Sequence, residues 1–157
     1  MKRINIFDAE LQHDEDDPEG FRAGYVKLAQ AIGGATMAGT IYELEPGNSN
    51  CPYHYESDEE WLLVLEGMLT VRHPGGEDEL GRGDLVCFPA GPDGAHKLTN
   101  RGTDDVRMLI VSTANLPAVA VYPDSDKIGV FTEGRRDNVM VHRDSDVDYW
   151  DGEAAAG

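Results

Sequence analysis

The sequence predicts an all-β fold in a single domain. Three observations carry that reading. Roughly seven or eight short apolar or alternating runs follow one another at spacings of about 8 to 12 residues, which is the rhythm of a sandwich or barrel. The 18 Gly and 8 Pro gather mostly between those runs, where turns are needed. At 157 residues and 40% hydrophobic content, the chain can bury one core but not two.

Taken in order, Ile4 and Ile6 alternate weakly and suggest an edge strand, and the acidic stretch Leu11 to Gly20 reads as an exposed loop with a solvated His13. From Phe21 to Gly34, glycine punctuation favours two short strands and a loop over a helix. Ala35 to Glu45 alternates as a strand that ends at the Pro46-Gly47 turn. Trp61 to Leu65 is apolar on both faces, the pattern of a central strand covered on one side by a core and on the other by a neighbouring sheet or subunit. Gly67 permits a tight turn into a strand from Met68 to Arg72. A short strand near Leu80, another from Asp84 to Phe88, and strands at His96 to Asn100 and Val106 to Ser112 complete the sandwich or barrel. Beyond Pro117, the segment Val119 to Phe131 adds strands packed outside the barrel or on a partner, and Tyr149-Trp150 anchors an acidic tail or lids the pocket. The expected organisation is an N-terminal part of strands and acidic loop at 1–34, a barrel core at 35–116 and a C-terminal extension at 117–157.

Thirty acidic residues against 13 basic ones give a formal net charge of −17, which argues against partners bound through phosphate, nucleic acid and anionic membrane alike. Asp outnumbers Glu and Lys is scarce beside Arg, as in proteins of salt-loving microbes, where screening tolerates such self-repulsion. Cys51 and Cys87 make no disulfide framework, and MKRINIFDAE lacks a signal-peptide apolar core, so a cytoplasmic protein with free thiols is expected.

The chemistry concentrates in Gly47 to Gly67. If Pro52 to Glu56 is extended, His54 and Glu56 share a face, with Tyr53 and Tyr55 on the other, and a bend at Ser57-Asp58 returns Glu60 to the same spot. A second cluster, Gly83 to Asn100, supplies His96. Two His and two Glu make a cage for one divalent ion, and zinc, iron(II), manganese and nickel all accept that donor mixture. Leu62, Val64, Val86, Phe88 and Leu98 fall near the pocket as barrel core, Lys97 and Arg72 as solvent-facing strand residues, and His73 and His142 on the surface. Without metal, Glu56 or Glu60 is the candidate general acid or base.

The two clusters resemble the paired motifs of the cupin superfamily. Gly47, six residues, His54-x-Glu56, three residues, Glu60, six residues and Gly67 follow the first motif, except that Glu56 stands where the family usually has His. Gly83, Pro89, Gly91, His96 and Asn100 follow the second, with Pro92-Asp93 as an added turn. The likeness is strong from Thr40 to Ser112 and fades after Pro117, where Tyr122 to Ser125 is a YPDS-like segment.

The resemblance implies a jelly-roll β-barrel, a single cupin domain that pairs as a homodimer, and a metal-binding protein with a small-molecule ligand. As an enzyme it would be an isomerase, lyase or dioxygenase acting on a small oxygenated compound such as a sugar derivative or a keto or hydroxy acid. The alternative is a non-catalytic ligand-binding module without metal. In place of a second imidazole, Glu56 would offset more of the ion's charge and favour oxygen-preferring manganese or iron(II).

Overall fold

The computed structural model describes residues 1–154. These form strands β1 (Gly24–Lys27), β2 (Met37–Leu44), β3 (Tyr55–Glu56), β4 (Glu60–Glu66), β5 (Met68–His73), β6 (Gly76–Gly81), β7 (Leu85–Phe88), β8 (Lys97–Thr99), β9 (Val106–Thr113), β10 (Ala118–Tyr122), β11 (Lys127–Phe131) and β12 (Val139–His142), with one short helix, α1 (Leu28–Ile32). All pairings are antiparallel. A five-stranded sheet runs β1-β2-β9-β4-β7, a three-stranded sheet β6-β5-β8 and a four-stranded sheet β12-β11-β10-β3, and the three are not hydrogen-bonded into a closed ring.

The core lies between the five- and three-stranded sheets and follows from alternation along each strand. Leu62 and Val64 of β4, Leu44 of β2, Met108 of β9, Phe88 of β7, Leu69 and Val71 of β5 and Leu98 of β8 are all buried in one cluster, with Val86 packed against it. The residues between them on β4 face outward, and Trp61 is 48% exposed. Gly67 makes the β4–β5 turn with φ +82°, and a Cβ there would lie 2.6 Å from the Asp105 carbonyl oxygen, so a larger residue is both strained and obstructed.

Several sequence expectations change. Ile4 and Ile6 belong to no strand. The N-terminal segment is held by a side chain instead: Arg107 Nη1 donates to the Phe7 carbonyl at 2.6 Å, while its Nε lies 3.3 Å from Glu43 Oε2. Residues 21–34 give one strand, β1, and then α1, not two strands. Gly33 ends that helix in the left-handed conformation with its N–H on the Ala29 carbonyl, so the glycine is a helix cap and not a strand break. Tyr149 and Trp150 pack edge-on against each other, with ring centroids 4.7 Å apart, and are 82% and 70% exposed, so the pair does not anchor the tail in the core. Residues 155–157 of that tail lie outside the described residues. The segment after Pro117 does add strands, and β10 pairs directly with β3, Ala120 opposite Glu56 and Val121 opposite Tyr55. It therefore extends the sheet that carries part of the candidate site.

Candidate metal centre

His54 and His96 are paired through the backbone. His54 N donates to the His96 carbonyl at 3.1 Å and His96 N to the His54 carbonyl at 2.8 Å, a reciprocal bridge that joins the two sequence clusters. Their ring centroids lie 4.7 Å apart. Each ring is fixed in the same way, with its Nδ1–H donating to the carbonyl two residues earlier: His54 to Pro52 at 3.0 Å, His96 to Gly94 at 2.9 Å. A carbonyl can only accept, so both rings carry a proton on Nδ1 and turn Nε2 toward the cavity.

Glu60 opens β4 on the inward face, opposite Phe88 of β7 and Ser112 of β9. Its approach is set by bends at Ser57 and Asp58, where the Asp58 carboxylate accepts hydrogen bonds from Thr113 Oγ1 and from Asn115 Nδ2. Those bonds hold the Asp58 pKa below its ordinary value. His96 Nε2 lies 3.5 Å from Glu60 Oε2, and His54 Nε2 lies 3.7 Å from Glu56 Oε1. One donor atom each from His54, Glu60 and His96 falls within 4.8 Å of the other two. Glu56 lines the same cavity, of about 190 Å³, but stands outside that three-donor set, with its side chain 28% exposed.

Electrostatics separates these groups. Burial disfavours charge on His54, but the Cys51 sulfur and the Glu56 and Glu60 carboxylates outweigh it and raise the ring to about 11. Burial and the neighbouring His54 charge lower His96 to about 4. Burial and the Glu56 charge raise Glu60 to about 7, against the pull of His54. Burial also pushes the Tyr42 phenol up.

The donor set fits a divalent ion. Ligands bound at roughly 2.0–2.2 Å to a common ion lie about 3 to 3.5 Å from one another; His96 Nε2 and Glu60 Oε2 lie 3.5 Å apart, and all three donors within 4.8 Å. Those separations are long for direct hydrogen bonds. The Nδ1–H to carbonyl bonds are the outer contacts that orient histidine ligands. Cys51 Sγ lies 3.4 Å from His54 Nδ1, the nitrogen turned away from the cavity centre, so it supports the ring and stands outside the donor set.

A family model for the cupin domain matches residues 40–112. Residues 40–112 form a cupin domain. A search of curated proteins finds no significant match. Among solved structures, a putative sugar phosphate isomerase from Acidithiobacillus ferrooxidans superposes with TM-score 0.80 at 24% identity, covering 91% of each chain. A sugar phosphate isomerase of the cupin superfamily from Silicibacter pomeroyi also gives 0.80, at 23% identity over 95% of this chain and 98% of its own. The polyketide cyclase RemF from Streptomyces resistomycificus gives 0.62 at 25% identity, over 75% of this chain and 83% of its own. These likenesses establish the cupin jelly-roll fold.

Several residues of this cupin pocket escape a reading of the sequence. Tyr122, at the end of β10, stacks on His54 with centroids 5.9 Å apart, and Phe131 of β11 lines the same cavity. Phe88 stacks on His96 at 3.7 Å. Gly94 is irreplaceable for another reason: a Cβ there would fall 1.8 Å from the Pro89 carbonyl oxygen. The added Pro92–Gly94 segment is thus a tight 3-10 turn that presents the carbonyl orienting His96. Asn100 is fully buried and bonds the Leu44 and Asp104 carbonyls and the Gly102 N–H, a structural role that pins the turn after β8. Lys97 and Arg72 stay out of the pocket. Lys97 lies over the Phe21 ring, and Arg72 pairs with Asp124 at 2.9 Å.

Proposed function

We propose that this cupin binds one divalent metal ion through His54, Glu60 and His96, and is a metal-dependent isomerase of a small oxygenated carbonyl compound. What carries the reading is the convergence of one donor from each of these three residues within 4.8 Å. It is supported by the tautomers, since both Nε2 atoms face the cavity. Isomerase chemistry is also the activity named for two structures of the same fold.

An ion held there supplies positive charge to a carbonyl or hydroxyl oxygen. Glu56 is the acid–base residue. It lines the cavity beside the donors without belonging to the three-donor set, so its carboxylate would take the proton from the hydroxyl-bearing carbon next to a carbonyl and return it to the carbonyl carbon, while the hydroxyl proton passes to the former carbonyl oxygen. Glu60 would hold the ion together with His96, whose Nε2 lies 3.5 Å from its Oε2. Manganese and iron(II) suit this oxygen-rich set, with zinc and nickel as the competing occupants.

A second reading, a ligand-binding module without metal, is favoured by the approach of Glu56 Oε1 to His54 Nε2 at 3.7 Å, since a proton on that ring would offset carboxylate charge in place of an ion. Metal analysis on protein purified without an affinity tag separates the two. About one ion per chain, lost in Glu60→Ala, supports the metalloprotein; traces of metal indifferent to that substitution support the module.

The outer face of the five-stranded sheet supports a homodimer. Trp61, Leu85 and Met37, all roughly half exposed, rim an apolar depression of about 430 Å³ with Leu63, Leu109 and Val111. A second copy covers it in this proposal. Light scattering gives a dimer mass for the native chain and a monomer for Trp61→Glu; a monomeric native chain at high salt refutes it.

A further inference from the structure

The charge of the cavity wall bears on the kind of ligand it accepts. Among the described residues, its lining includes the carboxylates of Glu56 and Glu60 but no Lys or Arg side chain. Lys27 and Arg135 line a separate chamber that shares Tyr42 and Asn50 with the cavity, beside Asp14 and Asp17, and Lys127 lies over the Tyr122 ring, 5.5 Å from its centroid, without lining the cavity. Arg72 and Lys97 are engaged elsewhere, on Asp124 and over Phe21. A phosphate or carboxylate entering the cavity would therefore meet two carboxylates and no Lys or Arg side chain, inside a chain of net charge −17.

The remaining polar groups suit hydroxyls. Asn50, Ser112 and Tyr122 line the cavity and present an amide and two hydroxyls to it. The Asn50 Oδ1 is covered and unpaired, an arrangement that folded proteins rarely leave without a use. The rings of Tyr122 and Phe131 add flat apolar surface for C–H groups. At about 190 Å³ the cavity is smaller than the roughly 300 Å³ of drug-sized sites, which limits the ligand to a few carbons.

We infer that the ligand is an uncharged polyhydroxy carbonyl compound, an unphosphorylated small sugar, recognised through its hydroxyls by Asn50, Ser112 and Tyr122. The inference rests on the reading of this cavity as the ligand site, and it departs from the phosphorylated substrates that the names of the two similar isomerase structures suggest.

Calorimetric titration tests it on the full chain, once loaded with Mn²⁺ and once stripped with chelator, using D-xylose, D-fructose and fructose 6-phosphate as probes. The expected result is binding of at least one free sugar, with the phosphate ester about tenfold weaker or more in both forms. Asn50→Ala should then weaken the sugar about fivefold or more while metal content stays at the native value, and Ser112→Ala provides a second, smaller substitution with the same direction. Equal or tighter binding of the phosphate ester overturns the inference, as does absence of heat from both free sugars in both forms. Unchanged sugar affinity in both variants overturns the assignment of the recognising residues. Failure of the native chain to take up Mn²⁺ counts against the metalloprotein reading alone, because the stripped arm still ranks sugar against phosphate.

Discussion

His54 and His96 are matched in backbone and opposed in charge. Both are buried, both belong to one reciprocal bridge and both place Nδ1–H on the carbonyl two residues before. Yet His54 is raised to about 11 and His96 lowered to about 4. Burial acts on both rings in the same direction, so neighbours decide. His54 has Glu56 and Cys51 within reach, whereas His96 lies against the Phe88 ring and beside a Glu60 itself raised to about 7. Fold geometry aims a histidine; the charges beside it set its protonation.

The comparison can be broken most forcefully at the donor itself. His96→Ala should lower metal affinity by about a hundredfold or more, read by competition with a chromogenic chelator, since it removes one of three converging donors. Next comes the carbonyl that aims the ring. Gly94→Ala puts a methyl onto the Pro89 backbone and should cost about 3 kcal/mol or more in chemical denaturation, whereas Pro52→Ala keeps the carbonyl that orients His54 and should cost less than about 1 kcal/mol.

A subtler effect sharpens the contrast in the metal-stripped protein. Glu60 has a folded pKa near 7, raised above the ordinary 4.5, so its contribution to stability is present below 4.5 and lost as pH rises through 7. His96 has a folded pKa near 4, lowered from 6.5, so its contribution is present above 6.5 and lost as pH falls through 4. The two slopes oppose each other in the native chain. Glu60→Gln should leave the His96 slope alone, and stability should then rise with pH between about 4 and 6.5, by at most about 1.4 kcal/mol per unit. A flat profile for Glu60→Gln would count against the neutral state of His96. The smallest effect is expected from Cys51→Ser: a downward shift of the His54 titration by NMR, with metal affinity changed less than about tenfold.

Much of the barrel was readable because its strands alternate cleanly. Tyr42 and Leu44, Leu62 and Val64, and Val86 and Phe88 keep to the two-residue period, and turn glycines stand where φ turns positive, as at Gly47, Gly67 and Gly83. That His54 and Glu56 line one cavity follows from the same alternation on an extended segment, whereas the approach of Glu60 and His96 depends on pairing between distant stretches, which alternation does not encode and only the likeness to the two motifs implied. The helix α1 was not. At five residues it is too short to display a helical period, and its capping glycine looks like a turn glycine. Tyr122 and Phe131 went unseen as pocket residues because only the pairing of β10 with β3 brings them there, and nothing local in either segment encodes that contact.

On β4, Glu60 and Trp61 are consecutive and point to opposite sides of the sheet. A slip of one residue in its pairing with β9 would carry the indole into the cavity and strand the carboxylate among apolar side chains outside. The proposed ion site and the proposed dimer face are thus tied to a single alignment of one strand, and a misaligned chain would forfeit both together.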